Sequence, residues 1–523
     1  MVSTNHITFE ESKPLSSSLI WKLQEDYFSK HGVTAWSSNY VPFYVTSNLV
    51  ISKSYADVIF RYIQDGVRLG FISGAQPLYI FETGAGSGKL GFYIVAELLK
   101  RANQFDYLLD CFRYVLTDFT QSNIDFWKTQ PQLMDFVQKG VLDFALYDLN
   151  KSDSLSLFYS STVFSSDAPT KSSIAVIANY VFDTIPHDLF KKTSDGIFHG
   201  LTTLETSQSN ITGQNSVHTL DDCRVSFDYE PCEYDYYENQ ALNRALLTVA
   251  SQLDNSSFLV PVGAISCIDF LRSLTSNNLL MLVGDKGHSS LDSLEGLGDP
   301  YVSFHGSFSL MVNFPLLNAY INVLEGSSIG ARSEQGLKIA LYTFGTSIYD
   351  LPETSLAFEN SIANLNTHEY LKLKNFVLNN IELADLQDLL SVMRLSLWDP
   401  IIASSFCSRF IELADKMTFS FRQELNNGLL ETVNNYFIFS THNNYIFDVG
   451  RLFQVVGNFN DAIRCYELAK KVLEEWSGYY NIALCYFELN NQSMALANME
   501  KALELDPGNT DVISWIDQLN SSV

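Results

Sequence analysis

Basic residues are scarce in this sequence. Thirty-three Lys and Arg stand against 59 Asp and Glu, leaving a net charge of −26 and an isoelectric point near 4.6. Without a surplus of cations nothing neutralises phosphates, which excludes nucleic acid or an anionic membrane as the main partner. The excess acid reads first as a device for solubility. Long apolar runs are missing as well, and no stretch approaches the ~18 residues that a membrane span needs. The first fifteen residues, MVSTNHITFEESKPL, have acids and no apolar core, unlike a signal peptide or an Arg-rich transit sequence. Cysteines are few and odd in number: Cys111, Cys223, Cys232, Cys267, Cys407, Cys465 and Cys485. None form the closely spaced pairs of a zinc site, so reduced packing thiols in a cytosol-like, cytoplasmic compartment are expected, and no metal.

What is abundant is aromatic: 37 Phe and 27 Tyr within 523 residues, enough to fill two or three domain cores. Residues 1–75 read as an N-terminal helical cap, helical over most of 15–75 with an extended interruption at NYVPFYVTSN. From 76 to about 345, short apolar runs alternate with amphipathic ones, the pattern of a parallel sheet covered by helices. Strand candidates are PLYIF (77–81), RYVLTD (113–118), FALYDL (144–149), IAVIANY (174–180), LLMLVGD (279–285) and KIALYTF (338–344), with an insertion at about 195–260. Residues 346–440 read as a helical linker domain.

After the first strand candidate comes FETGAGSGKLG, residues 81–91. A phosphate-binding P-loop would need glycine at Thr83 and a hydroxyl at Leu90, and has neither. A dinucleotide fingerprint at Gly86, Gly88 and Gly91 would leave Glu82 and Gly84 in the buried strand. The third register, Glu82-x-Gly84-x-Gly86-x-Gly88, puts the acid at the strand end and the glycines in the turn. Leu90, Ile94, Val95, Leu98 and Leu99 then recur at helical spacing, so the loop opens a helix.

In that register the segment resembles S-adenosyl-L-methionine (SAM) methyltransferases. The resemblance implies that Gly84, Gly86 and Gly88 permit close backbone approach, and that Glu82 receives the methionine ammonium. Asp118, 30 residues past Gly88, would accept both ribose hydroxyls. Asp148 would meet the adenine amino group. Both aspartates have an alternative as helix caps. More broadly, YVTSNLVISKSYADVIF (44–60), AVIANYVFDTIPHDLFKKTSDGIF (175–198), LLMLVGDKGH and DPYVSFHGSFSLMVNF resemble the MidA family of SAM-dependent methyltransferases over residues 40–345. That family methylates protein arginine and implies a catalytic site at Asn179, Tyr180, Asp183 and His187, with His187 one place from the family's histidine. Tyr180 stands where the family has an acid, Lys286 where it has tyrosine, and Ser307 where an acid is usual. The segment SFDYEPCEYDYYENQ (226–240) is either a surface hairpin or a rim that attracts a cationic peptide.

Near the C-terminus Ile446, Gly450, Phe453, Ala462, Tyr466 and Ala469 recur 33 residues later as Tyr479, Ala483, Tyr486, Ala495, Met499 and Ala502. With Pro507 this resembles two tetratricopeptide repeats and a closing helix over 441–523, although Glu474 replaces the expected proline and Asn490 the turn glycine found at Gly457. The 380–440 helices are expected to stack on them. The expected fold class is therefore α/β, a Rossmann-like class I methyltransferase fold with an N-terminal helical cap, followed by an all-α tetratricopeptide domain. The leading functional expectation is a SAM-dependent methyltransferase acting on a protein captured by the repeats. An inactive scaffold that binds proteins through the repeats, and a small-molecule methyltransferase, stand beside it.

Overall fold

The computed structural model describes residues 6–34, 44–149, 153–207, 220, 223–302, 304, 307–330, 336–364, 367–438 and 444–521. It forms two compact units, Met1–Ser47 with Ile51–His368, and Asn48–Val50 with Glu369–Val523. In the first unit the chain forms β1 (His6–Pro14), α1 (Ile20–His31), α2 (Leu49–Leu69), β2 (Leu78–Thr83), α3 (Lys89–Ala102), β3 (Phe112–Asp118) and β4 (Leu142–Leu146). It continues through β5 (Ile174–Asn179), β6 (Asp188–Thr193), β7 (Gly196–Ser207), β8 (Cys223–Cys232), β9 (Ser256–Val260), β10 (Leu279–Asp285), β11 (Ser327–Gly330) and β12 (Lys338–Phe344).

Seven of these strands make the central sheet, in the order β11-β12-β10-β5-β2-β3-β4. The five strands from β10 to β4 run parallel, whereas β12 is antiparallel to both β10 and β11. This is the Rossmann-like class I methyltransferase arrangement. Its strands are apolar throughout because both faces are covered: every residue of β10 and β12 is buried. The order reverses at β2, which lies between β3 and β5. In such sheets ligands bind beyond the carboxyl ends of the strands at the reversal. The sequence therefore delivers FETGAGSGKLG to the place where a site belongs.

A second, antiparallel sheet carries the inserted residues. One edge of β7 pairs with β8, the other with β6 over residues 196–200 and with β1 over 201–207, and β9 adds to β6. Residues 6–14 are thus a strand, where the N-terminal segment reads as helical. Its partner lies some 190 residues away, and the pairing is broken by two register shifts. A local periodicity cannot announce such a strand. The first five residues of NYVPFYVTSN fall outside the described residues.

In the second unit α4 (Pro400–Glu412) and α5 (Phe419–Asn434) precede the pairs α6 (Tyr445–Val456)/α7 (Phe459–Val472) and α8 (Trp476–Glu488)/α9 (Gln492–Leu505), closed by α10 (Thr510–Ser521). Helix α6 packs on both α4 and α5, so the preceding helices do stack on the repeats. Asn490 (φ +56°) takes the left-handed conformation that Gly457 (φ +83°) takes one repeat earlier, which explains that exchange. Ile446 and Phe453 are buried, whereas Tyr479 and Tyr486, their counterparts one repeat on, are half-exposed, and Ile482, Ala483 and Cys485 are buried residues of α8.

Candidate active site at the carboxyl end of the central sheet

A cavity of about 680 Å³ opens beyond the ends of β2, β3 and β5. Its wall contains Glu82, Gly84, Gly86, Asp118, Asp148, Asn179, Tyr180 and Asp183, which are eight of the ten residues singled out in the sequence. Gly84, Gly86 and Gly88 adopt φ of +61°, +55° and +76°, a region that side chains disfavour. That turn lets the loop reverse between β2 and α3, and Gly88 forms the N-cap of α3. Gly91, absent from the SAM register, is required for a different reason. A Cβ there would lie 2.5 Å from Leu116 Cδ2 and 2.6 Å from Glu82 Oε2, so only glycine lets α3 close on β3 and on the acid. The rejected dinucleotide register did contain this signal.

Glu82 is buried at the end of β2, and Tyr114 Oη donates to its Oε2 at 2.7 Å. Burial pushes its pKa up to about 8, against the pull of the Tyr114 hydrogen bond. Asp118 is equally buried and already occupied. Its Oδ2 accepts from Gly86 N at 3.0 Å, and its Oδ1 from Thr120 N and Oγ1, both at 2.9 Å. It ties the glycine loop to the end of β3, and Trp127 Nε1 secures the same turn through Gly86 O at 2.9 Å. A bidentate ribose contact would have to share these oxygens. Asp148 lies two residues beyond β4, which stops at Leu146 rather than at 149, and reaches the cavity from a loop.

The far side of the cavity is built on β5 and β10. Asn179 is fully engaged: Tyr55 Oη donates to its Oδ1 at 3.2 Å, and its Nδ2 donates to Thr46 O at 2.7 Å. It braces the 44–47 segment against the sheet. Tyr180 has φ +56°, an uncommon conformation for a bulky residue, with its N–H on Gly284 O at 2.7 Å. Lys286 Nζ sits 5.5 Å from the Tyr180 ring centroid. Asp183 and Asp285 form a buried pair in side-chain contact. Asp285 Oδ2 accepts from Phe182 N at 3.1 Å, while Oδ1 of each aspartate is buried without a hydrogen-bond partner. Burial raises both carboxyls, and for Asp285 the neighbouring Asp183 raises it further, so the pair binds protons more tightly than ordinary carboxyls do. In the sequence Asp285 is only the last residue of the strand candidate LLMLVGD; its pairing with Asp183 needed the sheet.

The N-terminal segment roofs the cavity. Ser16, Ser17, Ser18, Trp21 and Phe28 line it, and buried Gln24 clamps two loops, donating to Thr184 O at 3.0 Å and accepting from Phe308 N at 2.8 Å. His187 does not line the cavity. It is fully buried, stacked on Trp21 with centroids 6.1 Å apart, with Nδ1 on Ile185 O at 2.8 Å. Burial drives its pKa down to about 4, so it stays neutral and packs rather than reacts. The acids of 226–240 are also away from the wall: β8 and the following turn use their tyrosines to bond Asp299, His199 and Asp188.

Comparison with known proteins gives the second unit its clearest relation. Residues 476–509 match the family model described as tetratricopeptide repeat. No curated protein matches the chain. Among solved structures, an uncharacterized protein of Burkholderia thailandensis is similar at 11% identity and TM-score 0.39, covering 65% of this chain and 90% of that one. Another from the same organism, a candidate methyl transferase bound to S-adenosyl-homocysteine, is similar at 10% identity and TM-score 0.37, covering 67% and 98%. A thermophilic tetratricopeptide protein of Thermus thermophilus is similar at 13% identity and TM-score 0.22 over 33% of this chain and 93% of that one. None of these scores reaches 0.5, and the assignment of the first unit rests on its own strand order. No helix among the described residues is long and apolar enough to cross a membrane. None of the seven cysteines, all among the described residues, is in a disulfide.

Proposed function

We propose that the first unit is a SAM-dependent methyltransferase that modifies an arginine or other nitrogen nucleophile of a protein recruited through the tetratricopeptide unit. The observation that carries this reading is Asp183, a buried acid on the wall of the cavity that also holds the glycine loop, with Asp285 paired behind it. A nitrogen acceptor brings N–H donors and positive charge, and the pair supplies acceptors for both. The wall as a whole carries more acids than bases, with Glu25, Glu82, Asp118, Asp148 and Asp183 against Lys22 and Lys286.

The residues present fit SAM: Glu82 for its ammonium, the left-handed glycine turn for its backbone-facing side, Asp118 and Asp148 for the nucleoside. When bound, that group supplies an electrophilic methyl on a sulfonium. Asp183 would orient the acceptor nitrogen and take up the proton it sheds, with Asp285 behind it keeping its affinity for that proton high, while Trp21, Phe28 and Phe308 exclude water.

Titration calorimetry is expected to give micromolar-scale binding of SAM and S-adenosyl-homocysteine, and none of ATP or NAD. Saturable NAD binding without SAM binding would sink the reading. Recruitment is tested separately. A cut at 441 would strip α6 from α4 and α5, so the whole unit from Glu369 should be removed. Every residue of the cavity wall lies between Ser16 and Ser309, so S-adenosyl-homocysteine affinity should be unchanged. Methyl transfer to extract proteins should fall, and undiminished transfer would place recognition in the first unit.

A further inference from the structure

We propose that Glu82 and Tyr114 form a proton-linked receptor for the amino group of the cofactor's methionine part. In the empty site Glu82 is a carboxylic acid steadied by Tyr114, and it surrenders its proton to solvent when a ligand ammonium arrives. The proposal rests on the SAM-binding reading above and adds to it the protonation change and the positioning role of Tyr114.

The geometry is that of a carboxyl group whose resolved influences among the described residues are burial, Tyr114 and Asp118, none of them cationic. Glu82 is 3% exposed, and Gly91 of α3 packs so closely that a Cβ there would lie 2.6 Å from Oε2. From β3 it meets Tyr114 Oη at 2.7 Å on Oε2, and Thr117 Oγ1, which donates to the Glu82 main-chain oxygen at 2.9 Å. The charged group nearest on β3 is Asp118, a second carboxylate that disfavours ionisation. From β5 the neighbour in register is Ile177, which is apolar. On α2, Tyr55 lies within electrostatic reach of Tyr114 and adds no positive charge. The nearest lysine of α3, Lys89, has its Nζ 5.6 Å from the Tyr93 ring centroid. Burial without a cation raises the carboxyl to about 8, which agrees with this inventory.

The balance is simple: the carboxylic acid and a ligand ammonium become a carboxylate–ammonium pair, and one proton passes to the buffer. Apparent affinity should therefore fall as pH drops below about 8, approaching tenfold per unit. Tyr114 fixes Oε2, which leaves the second oxygen to meet the ligand. Its donated hydrogen bond also favours the ionised form, so losing it makes the proton harder to remove.

The test is calorimetric titration of S-adenosyl-homocysteine into the full chain at pH 6, 7 and 8, in two buffers of different ionisation enthalpy. Close to one proton should be released per ligand at pH 6 and 7, with affinity about tenfold weaker at pH 6 than at pH 7. Adenosine, which lacks the amino group, should release none and bind with no such slope. Glu82→Gln should abolish the release. Tyr114→Phe should keep it but shift the affinity profile to higher pH. Homocysteine-nucleoside binding with no proton release would overturn the inference and leave the cofactor reading standing. A chain that binds adenosine but gains nothing from the amino acid part would also overturn it, and no binding at all would remove both. An unshifted profile in Tyr114→Phe would strike out the role of that residue.

Discussion

Asp118→Ala is expected to lose detectable S-adenosyl-homocysteine binding and also to lower the melting transition of the first unit. From the sequence alone the same substitution is expected to leave the fold intact, because a strand-end acid that serves only the ribose can be removed without structural loss. The structure gives the carboxylate a second task. Gly86 N, Thr120 N and Thr120 Oγ1 all donate to it inside the protein. Alanine leaves buried donors behind, at a cost of about 1–3 kcal/mol for each one that finds no water. The ligand loses an ionised acceptor worth roughly 1.5–3 kcal/mol, or about 10–100-fold in affinity. It also meets a glycine turn no longer held at Gly86. The two tasks separate by measurement. A lower melting temperature with unchanged ligand affinity would make Asp118 a loop tie alone, and unchanged melting with lost affinity would make it a ligand contact alone. Asp118→Asn should fall between, since one of its two side-chain atoms becomes a donor facing a donor.

How far the sequence carried depended on the range of each interaction. The glycine turn was legible because its requirement is local: three positive-φ residues after a buried strand, before an amphipathic helix. The strands of the central sheet were legible because burial on both faces makes them continuous apolar runs, and β10 and β12 have the bounds expected of them. The turn at Asn490 was legible through its repeat partner Gly457. Strand β1 was not, since its partner β7 is remote and its own pattern is interrupted by bulges. Asn179 looked like a reactive amide because of the segment it sits in. Its two hydrogen-bonding ends go to Tyr55 and Thr46, residues more than 120 positions away. Asp285 is brought beside Asp183 by the β5–β10 pairing across a hundred residues of intervening chain. No spacing rule reaches that far.

Asp285→Asn should make the protein more stable and the enzyme nearly inactive. Both carboxyls of the pair are raised above their ordinary range, chiefly by burial. Raised carboxyls bind protons more tightly folded than unfolded. Their contribution to stability is therefore greatest below the ordinary carboxylate range, and is lost as pH climbs through the raised values. The electrostatic cost that the native pair bears therefore grows as pH rises. Asparagine keeps an acceptor for Phe182 N, which now meets Asp285 Oδ2 at 3.1 Å, and offers Asp183 a donor in place of a competing acid. The expected gain is about 1–3 kcal/mol at pH 8, in the range seen when buried charged groups are replaced, and it should shrink towards pH 5, where the native pair is already protonated. Methyl transfer from labelled SAM into extract proteins should fall by roughly 10²–10⁴, the range for loss of a proton acceptor. Opposite signs for stability and activity would mark the pair as a site kept under strain for function. A variant that is less stable at pH 8 and equally active would instead make Asp285 a structural acceptor for the turn at Phe182, and the acceptor site would have to be sought elsewhere on the wall.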